Sequence, residues 1–584
     1  MKLPNVFRQT YSSTAKLPAG SPKLLSPLTF CIAAVLLVAV VFAIYSPALN
    51  FQFILDDHHF LADPRLQSPG HLWEYFTSYV WAQVPGGPMS FYRPLFALWL
   101  RLNFVLCGTS PWGWHLLSIV KHVSVAILLA WLAWKLLRDR VAALLAATLF
   151  ALHPAQTESV AWVTVPDPLM AAAVLCTLLL YLNYAERISA SRQARAEEFK
   201  KNSRKQTRGK SKGNLSGLPS TLWMIASAVA CFAALIAKET AMVLPVVIFA
   251  LNLVLPLNRT ASEKAGGFRI RLFAAIRQTL PFLGVTAVYL LLRVHALHRQ
   301  FSSLTQHLPW STVLLSAPAT LWFYVKVMLW PASPHAFADP TLADALSLRT
   351  VLLPGLAVGC ALVALAAGCL WLWEKARRDL PYEEAARIQR ALLLGAVILV
   401  LPILPALNLN ALFPGDFLHG RYTYLPLAGL ALLLATSWRL MNKGRIAMLC
   451  ATGAVAITFC VLTAEQESMW KDDLTVYTVA NQNAPHNAPV AQNLSRARVQ
   501  VALLALDEAD GCDEAMPVFQ QATQQYPQDW FAWAGQGECF LKLNKFPQAE
   551  EALRRATELS HEPRVKEEWE QVRERMGLQP VPPQ

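Results

Sequence analysis

Charge is what this 584-residue chain has least of: Asp, Glu, Lys and Arg make up only 15% of it, against 55% hydrophobic residues and 19 Trp. So little charge excludes a water-soluble globule built around one core, and with a mean hydropathy of +0.35 the chain reads as a polytopic membrane protein. Other absences narrow the class. The first apolar run has no small-residue cleavage site after it, so it reads as an uncleaved anchor rather than a signal peptide. No internal inverted repeat and no pair of Gly/Pro-broken spans is evident, which argues against a transporter. The most basic stretch, SRQARAEEFKKNSRKQTRGKSKGN, has no aromatic interleaving and no recognisable nucleic-acid module, so nucleic acid is not an expected partner.

What is present is a series of apolar windows, each near the ~20 residues that a membrane-spanning helix needs. They fall at about 28–48, 113–134, 141–162, 167–184, 221–237, 241–257, 279–297, 350–373, 391–410, 423–440 and 446–463, which predicts an all-α fold with about 11 transmembrane helices over 28–463. With the N-terminal segment 1–27 in the cytoplasm, the cytoplasmic segments hold 30 Lys/Arg and the outward membrane loops about nine, the asymmetry expected of positive-inside topology. The basic run then lies in a cytoplasmic loop, 186–219, as a linker drawn to lipid headgroups. The segment 314–330 is long enough to span, but counting it would send the basic EKARRD run outward. It is therefore expected to lie in the outer interface, as is 92–106.

Beyond 464 the composition turns soluble and acidic, with a net charge of minus eight against plus twenty-one for the rest. Trp533, Gly537, Phe540, Ala549, Leu553 and Ala556 have the spacing of a tetratricopeptide repeat, and Ala515, Phe519, Ala522 and Pro527 match part of an imperfect one before it. Such residues seat one helix on the next, while the concave face commonly binds peptide segments. The region 464–584 is thus expected to be an extracytoplasmic helical-repeat domain. Most of the ten Cys fall within predicted spans, as small buried hydrophobes. Cys512 and Cys539 are in the tail, where a disulfide and two separate thiols are both open readings.

Charge nevertheless recurs at every predicted outward turn. The first holds Asp56, Asp57, His58, His59 and Arg93; the second His153, Glu158 and Asp167; the third Lys238 and Glu239; the last Asp416, His419 and Arg421. Acidic residues at membrane depth need water, a cation, a substrate or a basic partner, so they point to function. The joint pattern suits a substrate with an apolar tail and a charged head. The acids among them can act as general bases, and Arg421, Lys238 and Arg93 can hold an anionic head. Plainer readings stand beside these: Arg93 snorkelling to headgroups, His153-Pro154 bending a helix end, and Lys121 pairing with a carboxylate or facing a wet cavity. A divalent cation at His58, His59 and the Asp pair is the alternative to a metal-free site, although adjacent residues rarely converge on one ion.

Taken in order, the Asp pair after an apolar span, FYRPLF, WGWHLLSIVKH, LFALHPAQTESVAW, AKET, HGRYTYLP and WKDDLTVYTVANQNAPHNAPVAQNL resemble the transmembrane and tetratricopeptide-repeat-containing O-mannosyltransferases and their bacterial relatives. The resemblance implies a GT-C membrane glycosyltransferase fold, a polyprenyl-phosphate-linked sugar donor, no metal cofactor, and Asp56 or Asp57 as the catalytic base. On that reading Arg421, Lys238 and Arg93 are the candidates for the donor phosphate, and His153, Glu158, Asp167, Glu239 and His419 for sugar or acceptor. It implies transfer of mannose or a similar hexose to a hydroxyl, with protein Ser/Thr the expected acceptor, delivered from the repeats. Two departures touch the site: Val165-Pro166 stands where relatives often carry a basic residue, and His419-Gly420 precedes Arg421 where many have an acid. The tail is also short. A non-catalytic scaffold that gathers partners for envelope or secretory assembly is the rival reading. A bacterial inner membrane with a periplasmic tail is the expected location, and an endoplasmic reticulum membrane with a lumenal site the alternative. Of the sequons at Asn214, Asn258 and Asn493, only Asn493 falls on the outer side.

Overall fold

A computed structural model describes residues 25–83, 91–204, 219–254, 268–297, 308–332, 338, 341–411, 418–441, 443–506, 511–560 and 562–578, with side chains over 192–204 left aside. Asp416, Asn214, Asn258, most of the N-terminal segment and the centre of the basic loop lie outside the described residues. The architecture is all-α and polytopic with a C-terminal helical-repeat domain, as the sequence predicts. In chain order the helices needed here are α1 (Pro27–Tyr45), α2 (Asp56–Leu61), α3 (Pro94–Cys107), α4 (Pro111–Leu137), α5 (Arg140–Ala151), α6 (Thr157–Ala161) and α7 (Asp167–Arg204). There follow α8 (Ser220–Ala237), α9 (Leu244–Val254), α10 (Phe268–Ala296), α11 (Trp310–Leu329), α12 (Leu353–Asp379), α13 (Tyr382–Val400), α14 (Tyr424–Leu440) and α15 (Arg445–Glu467).

Among the described residues nine helices are long and apolar enough to cross a membrane, and this set differs in detail from the eleven windows. Three windows, 141–162, 241–257 and 423–440, correspond to the shorter helices α5, α9 and α14. The first ends at Leu152, where His153-Pro154 opens a turn, and the third is preceded by a short helical turn over Gly420–Thr423. The ninth long helix is α11, the segment expected at the interface. Both its ends meet the same end of the bundle: the Leu308 N–H donates to Asn410 Oδ1 beyond α13, while at the other end Met328 O and Pro331 O accept from His153 and from Gln466 of α15.

Polar contacts and close backbone approach join the helices, as expected where lipid supplies no hydrophobic drive between them. Ser227 of α8 donates to Thr177 O of α7, and Tyr181 Oη lies 2.9 Å from Asn252 Oδ1 of α9. At the α13–α14 crossing a Cβ on Gly429 would stand 2.6 Å from Gly395 O and 2.5 Å from Leu399 N, so only glycine lets the two backbones meet there.

The tail forms α16 (Asp473–Asn483), α17 (Ala488–Ala505), α18 (Gly511–Gln525), α19 (Trp530–Lys542), α20 (Phe546–Leu559) and α21 (Pro563–Arg575). Ala515, Phe519, Ala522, Ala532 and Cys539 pack α18 on α19, and Ala549, Leu553 and Ala556 pack α20 on α21, the seating roles expected of repeat residues. Cys512 and Cys539 are both thiols, with Cys539 Sγ 3.9 Å from Cys512 O. Asn493 lies within α17, in regular helix rather than a loop. The tail is not detached from the bundle: Ala48, Phe51 and Ile54 of the first loop, Trp162 and Val165 of the second, and Met469, Trp470, Val476, Ala480 and Val490 of the tail share one apolar cluster.

Candidate active site

The acidic pair opens α2. Leu55, just before it, has φ +52°, a conformation unfavourable for a branched L-residue that costs on the order of 1–3 kcal/mol and persists only where its surroundings enforce it. Its N–H donates to Asp473 Oδ1 at 2.8 Å, and His58 Nε2 donates to Asp473 Oδ2 at the same distance. The two acids differ sharply in environment. Asp57 is 1% exposed; its Oδ2 accepts from the Ile54 N–H and its Oδ1 from Thr164 Oγ1 at 2.6 Å. Burial pushes its carboxyl up to about 7, against these two hydrogen bonds. Asp56 is half-buried and lies within electrostatic reach of Tyr477 in α16. His58 is raised by its bond to Asp473, and the ring of His59 lies against Trp81, so the two imidazoles do not face one ion. Among the described residues no three His, Cys, Asp or Glu side chains gather as metal ligands would.

Three residues after Thr164, Asp167 begins α7 and meets Lys238, which follows α8; Nζ lies 2.7 Å from each carboxylate oxygen. Arg93, ahead of α3, donates from Nε to Glu239 Oε2 at 2.9 Å and from Nη2 to Oε1. Arg421 donates its backbone N–H to Glu158 Oε2 at 3.0 Å, with Nη1 3.6 Å from Oε1, and its guanidinium lies 4.6 Å from the Trp162 ring centre. His419 Nδ1 is 2.8 Å from Glu158 Oε1. Tyr422 joins two of the cations, its ring lying 4.9 Å from Lys238 Nζ and 5.7 Å from the Arg421 guanidinium.

Lys238 feels both arginines. Burial, Arg93 and Arg421 depress the Lys238 ammonium, and Asp167 opposes them. Burial would raise Glu158, but His419 and Arg421 overcome it and hold the carboxyl below the usual range. Arg93 does the same for Glu239. Each candidate phosphate ligand is thus matched by one of the carboxylates expected to bind sugar: Arg93 by Glu239, Lys238 by Asp167 and Arg421 by Glu158. His153 does not join them. Its Nδ1 accepts from the Ala155 N–H, so Nε2 carries the proton and donates to Met328 O, which ties α5 to α11.

Sequence reasoning missed Thr164, Trp162, Tyr422 and Asp473. The first three adjoin motif residues but carry no charge to mark them, and Asp473 is beside the Asp pair only in space. The basic residue lacking at Val165-Pro166 has a spatial counterpart: Lys121 of α4 directs Nζ to Val165 O at 3.4 Å, within electrostatic reach of Asp57 and Asp167. Away from the membrane part, a cavity of about 230 Å³ opens between α16, α17 and α18, lined by Asn481, Ser495, Arg498, Gln521, Gln525 and Tyr526.

Fold and site together define an integral membrane protein with a buried network of acids and bases at one end of its helices and a repeat domain packed against that end. The tetratricopeptide repeat family matches residues 512–567. Over most of its length the chain is similar to the protein O-mannosyl-transferase TMTC3 of Homo sapiens, with 24% identity over 544 residues, covering 90% of this chain and 54% of the relative. It is also similar to Tmtc1 of Drosophila melanogaster, 25% identical over 517 residues, covering 76% of this chain and 56% of the relative. Tmtc2 of the same fly is 35% identical over 150 residues, 25% of this chain and 16% of the relative. The chain spans about half the length of the relatives it matches most extensively. Among solved structures, the crystal structure of the Archaeoglobus fulgidus oligosaccharyltransferase in the apo form covers 84% of this chain and 60% of that chain at a TM-score of 0.38 and 13% identity, too distant to carry an argument. The resemblance to the transmembrane and tetratricopeptide-repeat-containing O-mannosyltransferases, first read from the ordered motifs, therefore stands.

Proposed function

We propose that the chain is a GT-C-type membrane glycosyltransferase that moves mannose or a similar hexose from a polyprenyl phosphate to a hydroxyl, with protein Ser/Thr the acceptor. Asp56 removes the acceptor proton as the oxygen attacks the anomeric carbon; the bond from that carbon to the phosphate oxygen breaks, and the lipid phosphate leaves with the electron pair. Asp56 is assigned this role because it is the more accessible of the two acids, half-buried where Asp57 is only 1% exposed. Asp57 holds the turn, and its charge raises the basicity of its neighbour.

Arg93, Lys238 and Arg421 stabilise the departing phosphate, Arg through paired donors and Lys as a point charge. Glu239, Asp167 and Glu158 keep those cations in place and prevent three like charges from standing unbalanced in a buried site. The observation that carries the reading is the short path from the acidic pair to the cradle: Thr164 binds Asp57, and Asp167, three residues on, binds Lys238. The polar cavity between α16 and α18 supports a polypeptide acceptor. The N-terminal side of the membrane part faces the cytoplasm, and the site faces the periplasm of a bacterial inner membrane. Reconstituted protein given radiolabelled polyprenyl-phosphate mannose and a Ser/Thr-rich peptide tests this: label on the peptide supports the reading. Folded protein that binds peptide without transferring label supports the scaffold instead.

A further inference from the structure

We infer that Asp473 is a positioning residue for the acidic pair, through which the repeat domain holds the catalytic turn in its working shape. The inference rests on the reading of Asp56 as base. Asp473 brackets the pair: one carboxylate oxygen accepts from the residue before it, Leu55, and the other from the residue after it, His58, each at 2.8 Å. Leu55 is the residue held at φ +52°, so the clamp acts at the point where the backbone would otherwise relax. The neighbouring acid, Asp472, acts within its own helix instead, where its Oδ1 accepts from both the N–H and the hydroxyl of Thr475 and caps α16.

The rest of the junction does not depend on the clamp. The Gln52 N–H donates to Lys471 O at 2.9 Å, and Trp470 stacks on Trp162 within the shared apolar cluster. Loss of the Asp473 carboxylate should therefore loosen the turn without detaching the tail. The charged and titratable groups facing the clamp are Asp56, Asp57 and His58 on the loop side and Tyr477 and Arg496 on the tail side. His58 gains its proton affinity chiefly from Asp473, so the clamp is strongest where His58 is charged.

The test uses full-length protein in lipid nanodiscs, comparing Asp473→Ala, Asp473→Asn, and Asp472→Ala as control. Misplacing a reacting group by about 1 Å can cost on the order of a hundredfold, so Asp473→Ala is expected to lower kcat by about tenfold to a hundredfold with donor KM within about twofold. Asp473→Asn, which keeps a carbonyl for the Leu55 N–H, should recover part of the loss, and Asp472→Ala should leave kcat near wild type. Hydrogen exchange of the 51–61 peptide reads the clamp independently of activity and should quicken in Asp473→Ala. Wild-type kcat and unchanged exchange in folded Asp473→Ala overturn the inference; if that variant does not fold, unchanged exchange and kcat in Asp473→Asn overturn it equally. If exchange quickens while Asp56→Asn still transfers sugar, the clamp stands and the assignment of the base falls.

Discussion

Lys238 Nζ lies 2.7 Å from both carboxylate oxygens of Asp167, and neither side chain is more than 5% exposed. A buried pair of this kind is an uncertain source of net stability, but removing one partner strands the other charge at a cost of about 3–5 kcal/mol. Lys238→Met should therefore lower the thermal midpoint strongly. The double variant Lys238→Met/Asp167→Leu should recover most of the midpoint while remaining inactive, since it restores packing without the cation. Melting in detergent alongside a transfer assay separates the two effects.

Ionisation of Asp57 should be visible in the pH profile. Two donors, the Ile54 N–H and the Thr164 hydroxyl, favour an acceptor-only carboxylate, and burial raises the pKa from 3.8 to about 7. The rate should rise with pH through about 7 as the carboxylate forms, and Asp57→Asn should remove that ionisation from the profile. Stability runs the other way. A raised carboxyl contributes stability that is fully present below its unfolded value and lost as pH rises to the folded one, so the wild-type midpoint should fall relative to Asp57→Asn between pH 3.8 and about 7, ahead of the rise in rate, and level off above.

Arg421 combines a bond to Glu158 with contacts to two rings, Trp162 and Tyr422. Lysine keeps the charge but loses the planar fork and most of the stacking. Arg421→Lys should raise donor KM about tenfold with little change in midpoint, and Arg421→Ala should lower kcat as well, because phosphate departure loses a cation. Donor-dependent initial rates decide this.

Gly429 tests the fold apart from the chemistry. Its Cβ would meet backbone atoms of α13 within 2.6 Å, which no rotamer change relieves. Gly429→Ala should destabilise by about 1–3 kcal/mol, as overpacking does. Gly453→Ala, where a Cβ meets nothing within 4 Å, should be close to neutral.

The parts of the fold legible in the sequence were those that repeat or run long. Apolar windows marked most of the spans, and spaced small and aromatic residues marked α19 and α20. Window lengths misjudged α5, because hydropathy continues through Leu152 while His153-Pro154 ends the helix. The composition of α11 does not reveal that both its ends meet one end of the bundle; only contacts with Asn410, His153 and Gln466 do. In the site, charge at outward turns pointed to Arg93, Glu158, Asp167, Lys238, Glu239 and Arg421, but not to which acid would answer which base. That pairing depends on how the turns beside α3, α6, α7, α8 and α14 come together. Asp473 was hidden for a similar reason: it sits far along the chain from Asp57 and reaches the turn only through docking of the tail.

In the proposed reaction everything turns on Asp56 as the base of a sugar transfer. The most direct measurement is single-turnover transfer from polyprenyl-phosphate mannose to a Ser/Thr peptide by reconstituted wild-type and Asp56→Asn proteins with matched melting curves and matched donor binding. Asp56→Asn should lose about 10²- to 10⁴-fold in rate with donor affinity intact. Transfer by Asp56→Asn at the wild-type rate would contradict it.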